Sequence, residues 1–376
     1  NREAANLERI LRKAAMPDNT IIISNYHFES CMGDSISMID LFLESFRGGD
    51  GISSFLKHLV IVALDQKAYD RCQYIHAHCF MLKTEGVDFS GEKFFMTDDY
   101  LKMMWRRIDF MRMILELGFN FVFTDADIMW FRDPFPHFSQ NADFQIACDH
   151  FIGNSADLDN RPNGGFTYVN SNNRKIEIYK YRYRLREVYP GKHDQDVLNI
   201  IKYGEVITEM GLKMRFLDTA YFGGLCEPSK DLNKVCTMHV NCCYGLSNKL
   251  HDVRLMLEDW KHFQSMTEKD KRLQPVTWRV PLLCRRVYNG ESPGASDTVR
   301  ISTDEMHRST KYGPISTLHV AGNGWMFFPK SSVSLVNINM PVEEINMEKF
   351  EAFRKAPRAD GPAVALAISD PWRYEQ

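Results

Sequence analysis

The chain has 376 residues, of which 44% are hydrophobic and 12% aromatic. This composition suffices for one large core or two modest ones and argues against a disordered protein. The formal net charge is -3, from 46 basic and 49 acidic residues, so no overall field favours nucleic acid or an anionic membrane as a partner. We therefore predict a globular protein that does not bind nucleic acid.

The sequence shows neither a membrane span nor a cleaved leader. No segment approaches the roughly 18 consecutive apolar residues that cross a bilayer, and none has the pattern of a signal peptide. Because the first residue is Asn1 rather than Met, we expect a fragment of a longer protein, with any membrane anchor upstream.

The nine cysteines leave the redox compartment open. They form no CxxC pair, which argues against a structural zinc site. They permit disulfides in an oxidising lumen, but they also fit buried, reduced thiols. The sequence has no Asn-x-Ser/Thr glycosylation site, so it lacks the usual sign of secretory passage.

Beyond an N-terminal flank at 1–19, β-rich runs alternate with helical patterns. The apolar runs predict strands at 21–23, 59–64, 121–124, 144–148 and 165–169. Apolar residues at helical spacing predict helices at 98–117, 174–188, 196–202 and 249–263. On the last helix, Asp252, Glu258 and Asp259 are expected to face water. The alternation, which extends from about residue 20 to 240, predicts a mostly parallel sheet covered by flanking helices, within an α/β domain that we assign to 20–285.

The composition changes after about Arg286. A turn-forming stretch at 289–296, poor in apolar residues, predicts a linker. The remainder of the chain has short apolar runs but neither a repeat nor a catalytic signature. Residues 286–376 are therefore expected to form a C-terminal extension of unknown role.

Asp125 and Asp127 give the strongest functional signal. They follow a run of Phe and Val, and open α/β sheets place their ligands at the carboxyl ends of strands. Two carboxylates separated by one small residue suit a hard divalent cation that keeps open positions for a phosphate-bearing substrate. The alternatives are a simple acidic turn and a phosphatase of the haloacid dehalogenase type. That phosphatase type has Thr or Val where this chain has Met129.

A second motif begins at His239, at the end of a short apolar run. An imidazole can complete a metal site made of two carboxylates. Gly245 lets the backbone approach a phosphate, and Lys249 can neutralise a diphosphate. The alternative for His239 is a hydrogen-bonded structural histidine.

A third motif contains Asp194, Gln195 and Asp196. Carboxylate and amide groups hydrogen-bond sugar hydroxyls, but acids at this position also stabilise the N-terminus of a helix. The two glycines after Asn163 admit a sugar against bare backbone, or they form a tight turn.

Arg107 and Asp149 are ambiguous. Arginine suits bidentate contact with phosphate or carboxylate, and the alternative for Arg107 is a surface position. Asp149 follows the predicted strand at 144–148, where it either accepts hydrogen bonds at a cleft edge or only makes the loop polar.

Together these segments resemble the plant nucleotide-diphospho-sugar transferases of glycosyltransferase family 77. The resemblance covers about residues 20–285. Its motifs lie at 41–46, 60–72, 86–95, 104–109, 123–136, 161–165, 193–199, 216–223 and 239–251.

The resemblance implies a GT-A fold, in which a single Rossmann-like nucleotide-binding unit merges with an acceptor region. It also implies a manganese-dependent, anomer-retaining transferase that moves a sugar, expected to be a pentose, from a UDP-sugar to a cell-wall polysaccharide or glycoprotein. Members of this plant family are type II membrane proteins of the Golgi lumen, so a membrane contact is expected only through an anchor absent from this chain.

The same resemblance implies roles for individual residues. The Mn²⁺ ligands are expected to be Asp125, Asp127 and His239. The catalytic region is expected to contain Asp194, Gln195 and Asp196. The donor-binding residues are expected to be Arg107, Thr124, Asp125, Ala126, Asp127, Asn163, Gly164, Gly165, Gly245 and Lys249.

Two features depart from the family pattern. Family members carry Asn, Ala and Trp after the first strand, where this chain has the different segment 24–33. That segment should help to hold the nucleotide base, so a second hypothesis is a catalytically inactive relative that binds a glycan or a protein as a scaffold. The family pattern also closes soon after 278–281, so 286–376 has no counterpart in it.

Overall fold

The computed structural model describes residues 2–28, 36–84, 86–87, 97–243, 245–273 and 276–284, and two strands at 315–321 and 324–329. The chain divides into two compact units, Asn1–Arg285 and Arg286–Gln376. The sequence features at 29–33 and 88–95 and the predicted linker at 289–296 lie outside the described residues.

Helices and strands alternate through most of the first unit. The helices described in it are α1 (Arg2–Ala14), α2 (Met38–Gly48), α3 (Gln66–Ile75), α4 (Asp98–Glu116), α5 (Asn173–Val188), α6 (Asp194–Ile201), α7 (Glu205–Glu209), α8 (Leu246–Ser265) and α9 (Glu268–Leu273). The strands are β1 (Thr20–Tyr26), β2 (Leu59–Ala63), β3 (Cys79–Met81), β4 (Asn120–Thr124), β5 (Ile128–Trp130), β6 (Phe144–His150), β7 (Arg161–Val169), β8 (Met214–Phe216), β9 (Phe222–Gly224) and β10 (Thr237–His239). In the second unit, β11 (Ile315–Ala321) pairs antiparallel with β12 (Gly324–Pro329).

A seven-stranded sheet with strand order β3-β2-β1-β4-β7-β6-β8 forms the centre of the first unit. Its neighbouring strands are parallel except at β7, which runs antiparallel to both β4 and β6. Strands β1, β2 and β4 are rich in Ile, Val and Phe and are buried almost throughout, as expected for strands covered on both faces. The predicted α/β class, with a mostly parallel sheet and flanking helices, is confirmed.

A second, three-stranded sheet has the order β5-β10-β9. Strand β5 follows β4 after three residues and pairs antiparallel with β10, so that Ile128 lies opposite His239. This pairing brings together two parts of the chain that are far apart in sequence.

Two apolar clusters lie on opposite faces of the large sheet. Along β1, Ile22 contributes to one cluster while Ile21 and Ile23 contribute to the other, because alternate side chains of a strand point to opposite faces. Helix α1 joins the second cluster through Leu7 and Leu11, which are fully buried. The segment expected to flank the domain therefore carries a helix that packs on the sheet.

The predicted helices are present, and the residues that precede three of them explain where each helix begins. Helix α4 begins after Thr97, whose side chain accepts a hydrogen bond from the N–H of Tyr100. Helix α6 begins two residues earlier than predicted, because the His193 side chain caps the N–H of Gln195. Helix α8 begins just after Gly245, which has φ 82°, a conformation that glycine adopts without strain.

The expectation that Asp252 and Asp259 face water is wrong. The carboxylate of Asp252 is completely buried and accepts the N–H groups of three consecutive residues, Leu282, Leu283 and Cys284. Asp259 accepts the N–H of Arg279 at 2.8 Å. Acids on the polar side of α8 therefore bind the backbone of 276–284, whereas Glu258 is exposed as expected.

Three disulfides link described cysteines, joining Cys72 to Cys79, Cys226 to Cys242 and Cys243 to Cys284. Two of them leave from neighbouring residues just after β10, so this loop is tied both to the chain after β9 and to the chain after α9. Cys148 and Cys236 are free and buried.

No helix in the described parts of the chain combines the length and the apolar character needed to cross a membrane.

Candidate metal centre

Asp125 and Asp127 lie in a turn at the carboxyl edge of the large sheet. The N–H of Asp125 donates to the carbonyl of Gly165 at 2.7 Å, which extends the pairing of β4 with β7. The carbonyl of Asp125 accepts the N–H of Ile128 at 3.1 Å. The tight turn therefore places both carboxylates at the edge where parallel strands present ligand sites.

His239 reaches the same point from β10. Its Nε2 atom lies 3.2 Å from Oδ1 of Asp127. Asp125, Asp127 and His239 each offer one ligand atom, and these atoms lie within 4.8 Å of one another. The three predicted metal ligands are thus brought together by two sheets.

Gly165 makes this approach possible because it has no side chain. A Cβ atom at this position would lie 2.7 Å from Oδ2 of Asp125 and 2.7 Å from Cε1 of His239. Both distances are shorter than van der Waals contact, so any larger residue would displace the carboxylate or the imidazole.

Lys249 adds a cation to the cluster from the first turn of α8. Its Nζ atom lies 2.6 Å from Oδ2 of Asp127. Gly245 precedes this helix and accepts the N–H of Lys249 through its carbonyl. The glycine and the lysine predicted for diphosphate contact are therefore part of one helix start beside the acidic pair.

The two carboxylates have opposite electrostatic environments. Burial raises the pKa of Asp125 and outweighs the charge of Arg107. Burial also acts on Asp127, but the charges of Lys249 and His239 outweigh it and hold the pKa of Asp127 far below its usual range. Although burial opposes it, the carboxylate of Asp127 raises the pKa of His239. The positive charges beside Asp127 thus outweigh the effect of burial on its carboxylate, whereas those beside Asp125 do not.

Arg107 and Asp194 form a buried ion pair next to Asp125. The Nη2 atom of Arg107 lies 3.3 and 3.2 Å from the two oxygens of Asp194, and its Nη1 atom lies 3.4 Å from Oδ1 of Asp125. The side chains of Arg107 and Asp194 are only 5% and 2% exposed. Burial opposes ionisation of Asp194, but Arg107 lowers its pKa below the ordinary value. One guanidinium thus bridges the acidic pair and α6.

Gln195 and Asp149 connect the remaining polar groups. The N–H of Gly164 donates to Oε1 of Gln195 at 2.8 Å. Asp149 accepts hydrogen bonds from the side-chain amides of Asn163 and Asn241, each at 2.8 Å. Burial raises the pKa of Asp149, against the effect of these hydrogen bonds. The carboxylate of Asp149 and its amide partners therefore form a second polar cluster beside the glycines of β7.

His193 continues this network away from the cluster. Its Nδ1 atom accepts the N–H of Gln195 at 3.1 Å, so the proton of the neutral ring is on Nε2. Nε2 donates to the hydroxyl of Tyr100 at 3.1 Å, and the two rings stack. Tyr100 and His193 thereby orient the start of α6, which carries Asp194 and Gln195.

Three predicted site residues occupy different positions. Thr124 accepts the indole N–H of Trp130 at 3.1 Å and so stabilises the turn. Ala126 packs against an apolar cluster. Asp196 is half-buried in the first turn of α6, and among the described residues no hydrogen bond joins it to the acidic cluster.

Sequence reasoning missed Asn241 and Tyr100. Asn241 lies two residues after His239, just beyond the end of β10, so its closeness in sequence to a predicted ligand was a usable signal. Tyr100 is brought to the site by tertiary contact with His193, and no local sequence pattern marks it.

The residues present fit a divalent cation. Two carboxylates and one imidazole form a mixed oxygen and nitrogen set that suits Mn²⁺, Mg²⁺ or a similar metal. A half-buried carboxylate with a raised pKa, as at Asp125, is a position where an added positive charge restores ionisation.

Comparison with known proteins shows the relationships of the chain. The family model described as nucleotide-diphospho-sugar transferase matches residues 54–253, more than half of the chain. Uncharacterized protein At4g15970 of Arabidopsis thaliana is 50% identical over 283 residues, which cover 75% of this chain and 74% of that protein. Uncharacterized protein At1g28695 of Arabidopsis thaliana is 38% identical over 288 residues, covering 75% and 84%.

Solved glycosyltransferase structures also align with the chain. The galactosyltransferase LgtC, in complex with donor and acceptor sugar analogs, has 11% identity and a TM-score of 0.40, covering 67% of this chain and 98% of its own. Mouse xyloside xylosyltransferase 1, in its apo form, has 12% identity and a TM-score of 0.35, covering 59% and 98%.

Proposed function

We propose that this chain, which belongs to the nucleotide-diphospho-sugar transferase family, is a metal-dependent GT-A enzyme that moves a sugar from a UDP-sugar to a glycan. In finer detail, we assign it to glycosyltransferase family 77, with Mn²⁺ as the cation, a pentose as the transferred sugar and retention of the anomeric configuration. The acceptor is a cell-wall polysaccharide or a glycoprotein.

One observation carries this proposal. Asp125, Asp127 and His239 converge within 4.8 Å, and the Nζ atom of Lys249 lies beside them. A diphosphate brings several negative oxygens, and a metal-ligand set flanked by a lysine is the arrangement that binds it. The alternative of an acidic turn after β4 does not explain why an imidazole and an ammonium group come to the same point.

Each residue has a distinct task in the transfer. A cation held by Asp125, Asp127 and His239 would supply Lewis-acid stabilisation to a diphosphate leaving group. Lys249 adds a second positive charge on the same side. Arg107 fixes Asp125 and Asp194 relative to each other, and Gln195, held by the N–H of Gly164, presents its amide group to sugar hydroxyls.

The environment of Asp194 supports attack on the same face as the leaving group. Both oxygens of Asp194 face Arg107, and the side chain is 2% exposed. A carboxylate engaged in this way is a poor nucleophile, so we favour direct attack by the acceptor hydroxyl, whose proton passes to the leaving phosphate oxygen. A glycosyl adduct trapped on Asp194 or Asp196 would contradict this mechanism.

The test is hydrolysis of a panel of UDP-sugars with Mn²⁺ and no acceptor. We expect one sugar to be cleaved by the parent protein and the rate to fall by about 100-fold or more in Asp125→Ala, as for loss of a group that holds an electrostatic catalyst. The matched control is Asp50→Ala, because this carboxylate is 70% exposed and its ion pair with Arg132 is long, at 3.8 Å.

Calorimetry with UDP and Mn²⁺ distinguishes the two hypotheses for this family member. Binding that is lost in Asp125→Ala supports the enzyme. Absence of both hydrolysis and UDP binding would instead support the catalytically inactive scaffold, in which the segment 24–33 no longer holds the base.

We also propose that the full-length protein resides in the Golgi lumen as a type II membrane protein. Three disulfides in the first unit support an oxidising compartment, since cytosolic thiols are kept reduced. A fluorescent fusion of the full-length protein is expected to coincide with a Golgi marker in plant cells, and a cytosolic distribution would contradict the proposal.

A further inference from the structure

A polar cleft lies between α1, α3 and the start of β3. Its volume is about 330 Å³. Its wall is formed by one face of α1 and by the chain from α3 into β3, with the residues Asn6, Arg9, Ile10, Lys13, Tyr69, Gln73, His76, Ala77, His78 and Cys79. This volume is at the lower end of the range for small-molecule sites and is larger than a single phosphate requires.

Hydrogen-bond donors and cations dominate the wall of this cleft. Arg9 and Lys13 lie one turn apart on α1 and are exposed, and no carboxylate is among the lining residues. Two acids of the flanking helices have partners outside the wall. Glu8 accepts hydrogen bonds from Arg12, and Asp70 accepts one from Gln66.

Two histidines are held in place at the end of this cleft. Nε2 of His76 donates to the carbonyl of Leu59 at 2.7 Å. Burial lowers the pKa of both His76 and His78, although a backbone hydrogen bond opposes the shift at each ring, and the charge of Lys13 adds to the lowering at His78. Lys13 is thus a cationic neighbour of His78, in a chain whose net charge is -3.

The cleft is separate from the metal centre. Cys79 is the first residue of β3, and β3, β2, β1 and β4 run parallel. The cleft therefore lies at the amino edge of the sheet, whereas Asp125 follows the carboxyl end of β4. A ligand in the cleft does not occupy the donor site.

We propose that this cleft binds an acidic sugar, meaning a saccharide unit that carries a carboxylate or a phosphate. Arg9 and Lys13 pair with the anionic group, while the side chains of Asn6, Tyr69 and Gln73 hydrogen-bond the hydroxyls. The choice of a saccharide rests on the proposed transferase function, because such an enzyme works on glycans. The cleft thereby gives the protein a second glycan contact away from the metal centre.

The test is calorimetry with glucuronate, glucose 6-phosphate and neutral glucose, in EDTA and without nucleotide. We expect both acidic sugars to bind and glucose to bind at least about tenfold more weakly, because charge-assisted hydrogen bonds contribute most of the affinity. Arg9→Gln is expected to weaken binding of the acidic sugars by about tenfold. Arg12→Gln is the matched control, since Arg12 lies on the same helix but is paired with Glu8.

Several results would overturn the inference. These are no binding of either acidic sugar, equal binding of glucose, or equal effects of Arg9→Gln and Arg12→Gln. Cosedimentation with phosphatidylserine vesicles, without binding of the soluble sugars, would assign the cleft to a lipid headgroup instead. UDP-sugar hydrolysis is measured separately on the same protein, so failure of this inference is distinguishable from failure of the proposed function.

Discussion

Gly165 shows how one missing side chain shapes the metal centre. Asp125 comes from the end of β4 and His239 from β10, and both reach over the backbone of β7 at this glycine. The residue is buried within a strand, where glycine is otherwise unfavourable because it adds backbone entropy to the unfolded state. The close approach of the two side chains explains why glycine is needed here.

We therefore expect Gly165→Ala to weaken Mn²⁺-dependent UDP binding by about tenfold or more, because the added methyl group displaces a metal ligand. Calorimetry measures the effect. Gly48→Ala is the control, since a Cβ at Gly48 meets no atom within 4 Å. Equal affinities of the two variants would show that the cluster tolerates the methyl group.

Asp194 is expected to matter for stability as well as for the site. Asp194→Asn leaves Arg107 buried without its full partner, so we expect a loss of about 3–5 kcal/mol in the free energy of unfolding at pH 7. The carboxylate has its pKa lowered from the ordinary 3.8. A group with a depressed pKa stabilises the fold above its unfolded value and loses this contribution as the pH falls through the folded pKa.

The difference in the free energy of unfolding between the parent protein and Asp194→Asn should therefore become smaller as the pH falls below about 3.8. Urea unfolding at a series of pH values measures it. A difference that is constant down to pH 3 would indicate that the variant acts through packing rather than through charge.

At the scale of elements, α8 connects the site to the end of the first unit. Its first turn carries Lys249, beside Asp127, and its later turns carry Asp252 and Asp259, which bind the backbone of 276–284. The disulfide from Cys243 to Cys284 closes the same arrangement covalently. The position of Lys249 thus depends on contacts made along the whole helix.

Asp252→Ala is expected to destabilise the protein by about 3 kcal/mol, because three N–H groups, including that of buried Cys284, lose a buried charged acceptor. Urea unfolding gives the value. Glu258→Ala is the matched control on the same helix, since this side chain is 61% exposed and is expected to change stability by less than about 1 kcal/mol. Similar losses in the two variants would show that the backbone contacts contribute little.

For the whole molecule, the alternation of patterns was enough to predict the α/β class, because burial on both faces gives β1, β2 and β4 continuous apolar runs. The partners of Asp149 were not predictable in the same way. They come from 163 and 241, which meet only through the order of the strands. The pairing of the cysteines was equally unpredictable, since nine thiols allow many connectivities. The prediction for the polar side of α8 was wrong because acids that bind backbone have the same sequence pattern as solvent-exposed acids.

The three disulfides are expected to contribute unequally. Cys243 and Cys284 are 41 residues apart, whereas Cys72 and Cys79 are 7 apart. A disulfide that closes a longer loop removes more entropy from the unfolded chain. Replacing Cys243 and Cys284 by serine should therefore lower the free energy of unfolding by about 1.5 kcal/mol more than replacing Cys72 and Cys79 by serine. Chemical unfolding of the two double variants tests this, and equal losses would contradict the loop-length argument.

The pairing of β5 with β10 has a consequence for a growing chain. Asp127 and Lys249 are 122 residues apart, so a ribosome exposes the acidic pair long before it releases the imidazole and the amine. A product truncated before β10 keeps every strand of the large sheet, yet it lacks the imidazole of His239 and the amine of Lys249. If the proposed site is correct, its last ligands are therefore added late in synthesis, and we expect an incomplete polypeptide to lack the transfer activity.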